Sequence, residues 1–184
     1  MLRAVSAVFA VAVLGAAPAT AQDFRIDEVR GGIMAHSTDE TGPGGTFWNL
    51  TRIQDANVEL LFSPIDAWTG WGEIRPHVGA TVNFGGLESM AYAGLSWKVN
   101  LFDSPVFFEG AFGAAVHNGA ASGAAAPARD LGCALLFREA ANLGVDVTEN
   151  ASVMLTLEHA SHAGLCGPLN RGLTNLGVRV GVRF

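Results

Sequence analysis

The C-terminal segment reads LGVRVGVRF. Leu176, Val178, Val180, Val182 and Phe184 alternate with Gly177, Arg179, Gly181 and Arg183. Successive side chains of a strand point to opposite faces, so this is a strand with one apolar face and one small or charged face. The same period recurs along the chain. In 74–84, Ile74, Val78, Ala80, Val82 and Phe84 oppose Arg75, His77, Thr81 and Asn83. In 87–99, Leu95, Trp97 and Val99 oppose Tyr92, Ser96 and Lys98. In 106–117, Val106, Phe108, Phe112 and Val116 oppose Glu109 and His117, and in 151–161, Val153, Leu155 and Leu157 oppose Ser152, Thr156 and Glu158. Weaker alternation covers 24–36, 54–63 and 131–146, which completes eight strands. Turn residues separate them in FGGLE at 84–88, NLFDSP at 100–105 and TEN at 148–150.

An eight-stranded antiparallel sheet closes in two ways. A lipocalin-like barrel turns its apolar face inward, whereas a transmembrane barrel turns it to lipid and keeps glycine and charge inside. Parity alone does not choose between them. The N-terminus does bear on the choice. It reads MLRAVSAVFAVAVLGAAPATAQ, with Arg3, an apolar run from Ala4 to Ala17 and an Ala19-Thr20-Ala21 cleavage pattern. That is the form of a secretory signal peptide over 1–21, leaving 22–184 as one barrel domain. Export, strands of about ten residues and a terminal Phe favour an outer-membrane barrel. A net charge of −6 with scattered arginines argues against nucleic acid. In such a barrel the short turns lie on the periplasmic side. The connections 37–53, 118–130 and 162–173 then all lie outside.

One stretch is not explained by the barrel. Residues 157–172 read LEHASHAGLCGPLNRG. His159 and Ser161 share parity with Leu155 and Leu157, so both face lipid at the outer end of strand seven. A polar pair on that face is costly unless it serves a purpose. A base two residues from a hydroxyl, on one strand face, is the arrangement of Ser–His acyl transfer. Two polar residues of the interface girdle are the plainer reading.

Over residues 157–184 the chain resembles the PagL-type lipid A 3-O-deacylases, also called acyloxyacyl hydrolases. Their motif is H-x-S-N, then N-x-G-x-E, then a last strand ending in Phe. Here it stands as His159-Ala160-Ser161-His162, Asn170-Arg171-Gly172-Leu173-Thr174-Asn175 and LGVRVGVRF. The resemblance implies an outer-membrane esterase acting on lipid A in the outer leaflet of lipopolysaccharide, with Ser161 as nucleophile and His159 as base. It implies an oxyanion hole built from Asn170 and backbone N–H groups of the 162–172 loop, Gly172 among them, with Thr174 supporting. No cofactor is called for. Two departures stand out: His162 replaces the Asn, and Thr174 replaces the Glu.

The residue that orients His159 is therefore open. Asn175 follows Thr174, and Asn can orient a catalytic His. Glu139 shares parity with Leu135, Phe137, Leu143 and Val145, so it also faces lipid. A short turn near TEN brings it opposite Leu157 or His159. Its plainer reading is a girdle carboxylate.

Cys133 and Cys166 fall at the same outer end, in an oxidising compartment, which predicts a disulfide; two buried thiols are the alternative. His36, His117, His159 and His162 map near outer ends, but His117 points inward and His159 outward, which argues against a shared metal. Trp48, Trp68, Trp71 and Trp97 read as interface aromatics. Arg52 and Arg171 are placed to meet lipid A phosphates, or simply to be solvated. Two further functions stay open beside the esterase: a catalytically silent barrel with a structural or adhesive role, and a lipocalin-like binder. Oligomeric state, a homodimer included, is not legible.

Overall fold

The computed structural model describes residues 25–40, 45, 48–65, 70 and 72–184. The expected signal peptide, together with Trp68 and Trp71, lies outside the described residues. Eight strands follow in order: β1 (Ile26–Ala35), β2 (Ile53–Phe62), β3 (Glu73–Asn83), β4 (Met90–Asn100), β5 (Val106–His117), β6 (Leu135–Asp146), β7 (Ala151–Ser161) and β8 (Leu173–Arg183). Each pairs antiparallel with its neighbour, and β1 pairs with β8 to close the barrel.

The boundaries differ from the periodicity at three places. Residues 87–89 and 131–134 are loop, and β8 starts earlier, at Leu173. Cys133 therefore precedes β6. In each case side-chain alternation ran past, or stopped short of, the true ladder.

The alternation decides which way the barrel faces. Ile33, Val58, Phe112, Leu155 and Val178 are all exposed on its outer wall. Arg30, Glu59, Arg75, Glu109, Arg138, Glu158 and Arg179 are all buried inside. This is the polarity of a membrane barrel and the reverse of a lipocalin's.

Charge inside a narrow barrel is stable only when paired. Arg30 donates to Glu109 at 2.8 Å, and Arg138 donates twice to Glu158 at 2.9 and 2.6 Å. Arg179 pairs with Glu59 at 3.1 Å and donates to Thr156 and Asn142. Arg138 also lies over the Tyr92 ring, 3.5 Å from its centroid. The interior is thus a cross-linked polar plug, which fixes the shape of the wall around it.

The outer end is closed by four connections, 36–52, 84–89, 118–134 and 162–172. His36 is fully buried there. One ring nitrogen meets Asp55 at 2.9 Å and the other Glu88 at 3.1 Å, so both are donors and the ring is an imidazolium. Burial works against that charge, but the hydrogen bonds and charges of Asp55 and Glu88 outweigh it and hold the His36 pKa up at about 9. Burial likewise works against the Glu88 carboxylate. The His36 contact and the Arg129 N–H prevail and lower its pKa.

Candidate active site

β7 carries the candidate pair. Its exposed and half-buried positions are Val153, Leu155, Leu157, His159 and Ser161, while Glu158 and Ala160 are buried on the inner face. His159 and Ser161 thus stand on the outer wall at the outward end of the strand. Glu158 points inside, where Arg138, Thr81 and Asn175 occupy it.

The ladder supplies the neighbours. His159 is the Cα partner of Glu139 on β6 and of Thr174 on β8. Ser161 is the partner of Phe137. The Nδ1 of His159 and the Oγ1 of Thr174 are hydrogen-bonded at 2.9 Å. Thr174, at the position of the family's Glu, is the residue that holds the imidazole. Its own carbonyl accepts from Thr38 N at 2.7 Å, which ties it to the 36–52 connection.

Asn175 does not serve as the orienting residue. Its side chain is buried inside the barrel, accepting from Ser37 N and donating to Glu158 at 3.2 Å. The physical reason is parity: Asn175 shares a face with Arg179, and Thr174 shares one with Leu176 and Val178. Glu139 does stand across from His159 on the outer wall, exposed, and makes no hydrogen bond to it.

Gly172 closes the site from the 162–172 loop. Its φ is +62°, and a Cβ there would sit 2.8 Å from His159 Cε1 and 3.3 Å from Nε2. The backbone therefore packs directly on the imidazole. The β7–β8 ladder ends at the Ala160–Leu173 pair, so Ser161 and Gly172 are the next residues along on either side of it. The Gly172 N–H makes no backbone hydrogen bond among the described residues. Asn170 accepts from His162 N at 3.3 Å, pinning the residue that follows Ser161.

His162 is a loop staple. It is buried, its Nε2 donates to Leu169 O at 2.7 Å, and its Nδ1 accepts from Cys166 N at 3.2 Å. Cys166 is joined to Cys133, with Cα atoms 5.8 Å apart. Cys133, His162 and Cys166 are close enough to hold a metal. With both sulfurs in the disulfide, however, neither offers a thiolate. His36 and His117 lie elsewhere, bonded to Asp55 and Glu88 and to the Cys133 carbonyl.

Two apolar grooves flank the pair on the wall. One, about 250 Å³, is lined by Ala114, Leu135, Phe137, Leu165 and the disulfide. The other, about 420 Å³, runs from Glu139 past Phe112 to Trp97. Trp97 is exposed near the periplasmic end of β4, and Trp48 is exposed in the outer 36–52 connection. Arg52 pairs with Glu40 at 2.7 Å, and Arg171 is exposed beside the site.

One further residue braces the site from outside the strands. Arg129, in the 118–134 connection, is buried and donates to the carbonyls of Arg171 and Gly172. No periodicity marks it.

Comparison with known proteins agrees with the fold. A family model described as lipid A 3-O-deacylase (PagL) matches residues 46–183, which take in β2 through β8. The crystal structure of the outer membrane enzyme PagL aligns with a TM-score of 0.62 at 18% identity, covering 85% of this chain and 99% of that one. Neisserial surface protein A aligns with a TM-score of 0.47 at 12% identity, over 85% of this chain and 95% of its own. No curated protein sequence matches. With the apolar wall and the matched family span together, the chain belongs to the lipid A 3-O-deacylase (PagL) family of the bacterial outer membrane.

Proposed function

We propose that the protein hydrolyses an ester-linked acyl chain of lipid A, with Ser161 as nucleophile and His159 as general base. The observation that carries this is the His159–Thr174 hydrogen bond on the lipid face of β7, 2.9 Å long. A base at this position needs a free Nε2. In that tautomer Nδ1–H donates to Thr174 Oγ1, and Nε2 is left for the Ser161 hydroxyl. The pair sits where an acyl chain anchored in the outer leaflet passes, and the groove beside Phe137 offers that chain an apolar bed.

The reaction is a two-step acyl transfer. Ser161 Oγ attacks the ester carbonyl as its proton passes to His159 Nε2. The oxyanion is met by the Gly172 N–H, with Asn170 supporting that wall of the site. Collapse expels the sugar alkoxide, which takes the proton from His159. Water then enters, gives its proton to the same nitrogen and attacks the acyl carbonyl; collapse releases the fatty acid as Ser161 Oγ takes the proton back from His159.

Thr174 fixes the ring but carries no charge to balance the imidazolium. Glu139 is the carboxylate on the same face, one strand away, and we assign it that electrostatic role. A rival reading is a silent barrel with a structural or adhesive role, and its support is this same Thr174 in place of Glu. The two readings part in one assay: fatty acid released from lipid A in mixed micelles by the wild type, Ser161→Ala and His159→Asn. Release by the wild type and by neither variant supports the esterase. Equal release by all three, or by none, rejects it.

A further inference from the structure

The esterase reading gives roles to His159, Ser161, Thr174 and the Gly172 backbone, but not to what holds Gly172 against the imidazole. Gly172 lies just outside β8, which begins at Leu173. The support comes from the 118–134 connection. Arg129 Nη1 donates to Gly172 O at 2.9 Å and to Arg171 O at 3.2 Å. Asp130 O, one residue on, accepts from Arg171 N at 3.3 Å. The 171–172 backbone is therefore gripped at both of its carbonyls and at one N–H.

Arg129 is itself held in place. Its Nη2 pairs with Asp39 at 2.7 Å, and its backbone N–H donates to Glu88 at 2.6 Å. It is 3% exposed. Asp39 belongs to the 36–52 connection and Glu88 to the 84–89 connection, so one side chain and its own N–H tie all four outer connections together. A surface arginine would be worth little in such a place; a buried guanidinium with fixed acceptors resists movement.

The bonding has a chemical consequence. The Arg171 carbonyl and the Gly172 N–H belong to one peptide unit. A cation donating to that carbonyl draws electron density from the amide and makes its N–H a stronger donor. That N–H belongs to the residue packed on the His159 ring, and it makes no backbone hydrogen bond among the described residues.

We propose that Arg129 is a positioning residue: it orients and polarises the Arg171–Gly172 peptide as an oxyanion donor and presses Gly172 against His159. This rests on the esterase reading for its catalytic meaning. Arg129 touches no substrate and moves no proton.

The test compares Arg129→Gln and Arg129→Lys with Arg25→Gln, an exposed arginine just before β1 at the opposite end of the barrel. Folding is read from heat-modifiable migration. Activity is read as kcat and KM on lipid A in mixed micelles. The site is also read without activity, from the ring signals of His159 by NMR in detergent, assigned with His159→Asn. We expect Arg129→Gln to lower kcat about tenfold to a hundredfold, below the loss of a whole oxyanion donor, with KM nearly unchanged. The His159 ring signal moves in the same variant. Arg129→Lys, which can reach one carbonyl but not both, recovers part of each effect, and Arg25→Gln changes neither. If Arg129→Gln does not fold, the partial loss in Arg129→Lys carries the same comparison. An unchanged kcat with an unmoved His159 signal overturns the proposal. So does a rise in KM alone, which would make Arg129 a substrate-binding cation. If the wild type releases no fatty acid, the esterase reading fails, while the His159 signal still decides whether Arg129 positions the site.

Discussion

At the scale of residues, the site turns on Thr174 and Gly172. Thr174 contributes one hydrogen bond to His159, and a neutral bond of that kind is worth about 1 kcal/mol. Thr174→Val keeps the shape and removes the bond. We expect kcat to fall about fivefold to tenfold, measured on lipid A in micelles. Thr174→Glu places a carboxylate on Nδ1 and should raise kcat if charge is what the site lacks. Gly172→Ala is a sharper test, since its Cβ would meet His159 Cε1 at 2.8 Å on a backbone with φ of +62°. A fall in kcat of at least about tenfold in a folded barrel is the expected result. An active Gly172→Ala enzyme would mean the imidazole is not held where it stands.

Much of this was legible, and the limits are physical. His159 and Ser161 follow from parity on a clear strand. Parity alone already argues against Asn175, which shares the inner face with Gly177 and Arg179. The strand was read from Leu176, whereas the ladder begins at Leu173. That three-residue extension is what pairs Thr174 with His159. Arg129 was beyond reach for a different reason. Loop contacts across 43 residues have no period to betray them.

At the scale of elements, the four outer connections are coupled through buried charge. His36 holds a pKa of about 9 against an ordinary 6.5, because Asp55 and Glu88 prevail over its burial. The stabilisation is complete below 6.5 and is lost as pH rises through about 9. It amounts to something on the order of 3 kcal/mol. Glu88 is shifted the other way, so its contribution is present above 4.5 and is lost as pH falls through its lowered value. Thermal unfolding in detergent should therefore decline in midpoint between pH 7 and 10. His36→Gln should start lower and lose that slope. A wild-type midpoint flat across this range would show that the His36 cluster does not stabilise the outer end.

At the scale of the whole molecule, the barrel is an inside-out protein with the proposed catalytic pair on its wall. Two substitutions separate the faces. Leu155→Arg puts charge on the lipid side of β7 and should cost about 2–4 kcal/mol near the bilayer centre. Glu158→Gln leaves Arg138 without its main partner inside and should cost about 3–5 kcal/mol. Denaturant unfolding in vesicles reads both. A Leu155→Arg barrel as stable as the wild type would contradict the orientation on which the site depends. With the wall facing lipid, the reason for a Ser–His pair among aliphatic residues is that the proposed substrate lies in the membrane.

The most direct measurement is the mass spectrum of lipid A from cells producing the wild type or Ser161→Ala, each verified as folded in the outer membrane. The account predicts a lipid A species lighter by one ester-linked acyl chain with the wild type, absent with Ser161→Ala. Identical spectra from the two would contradict it.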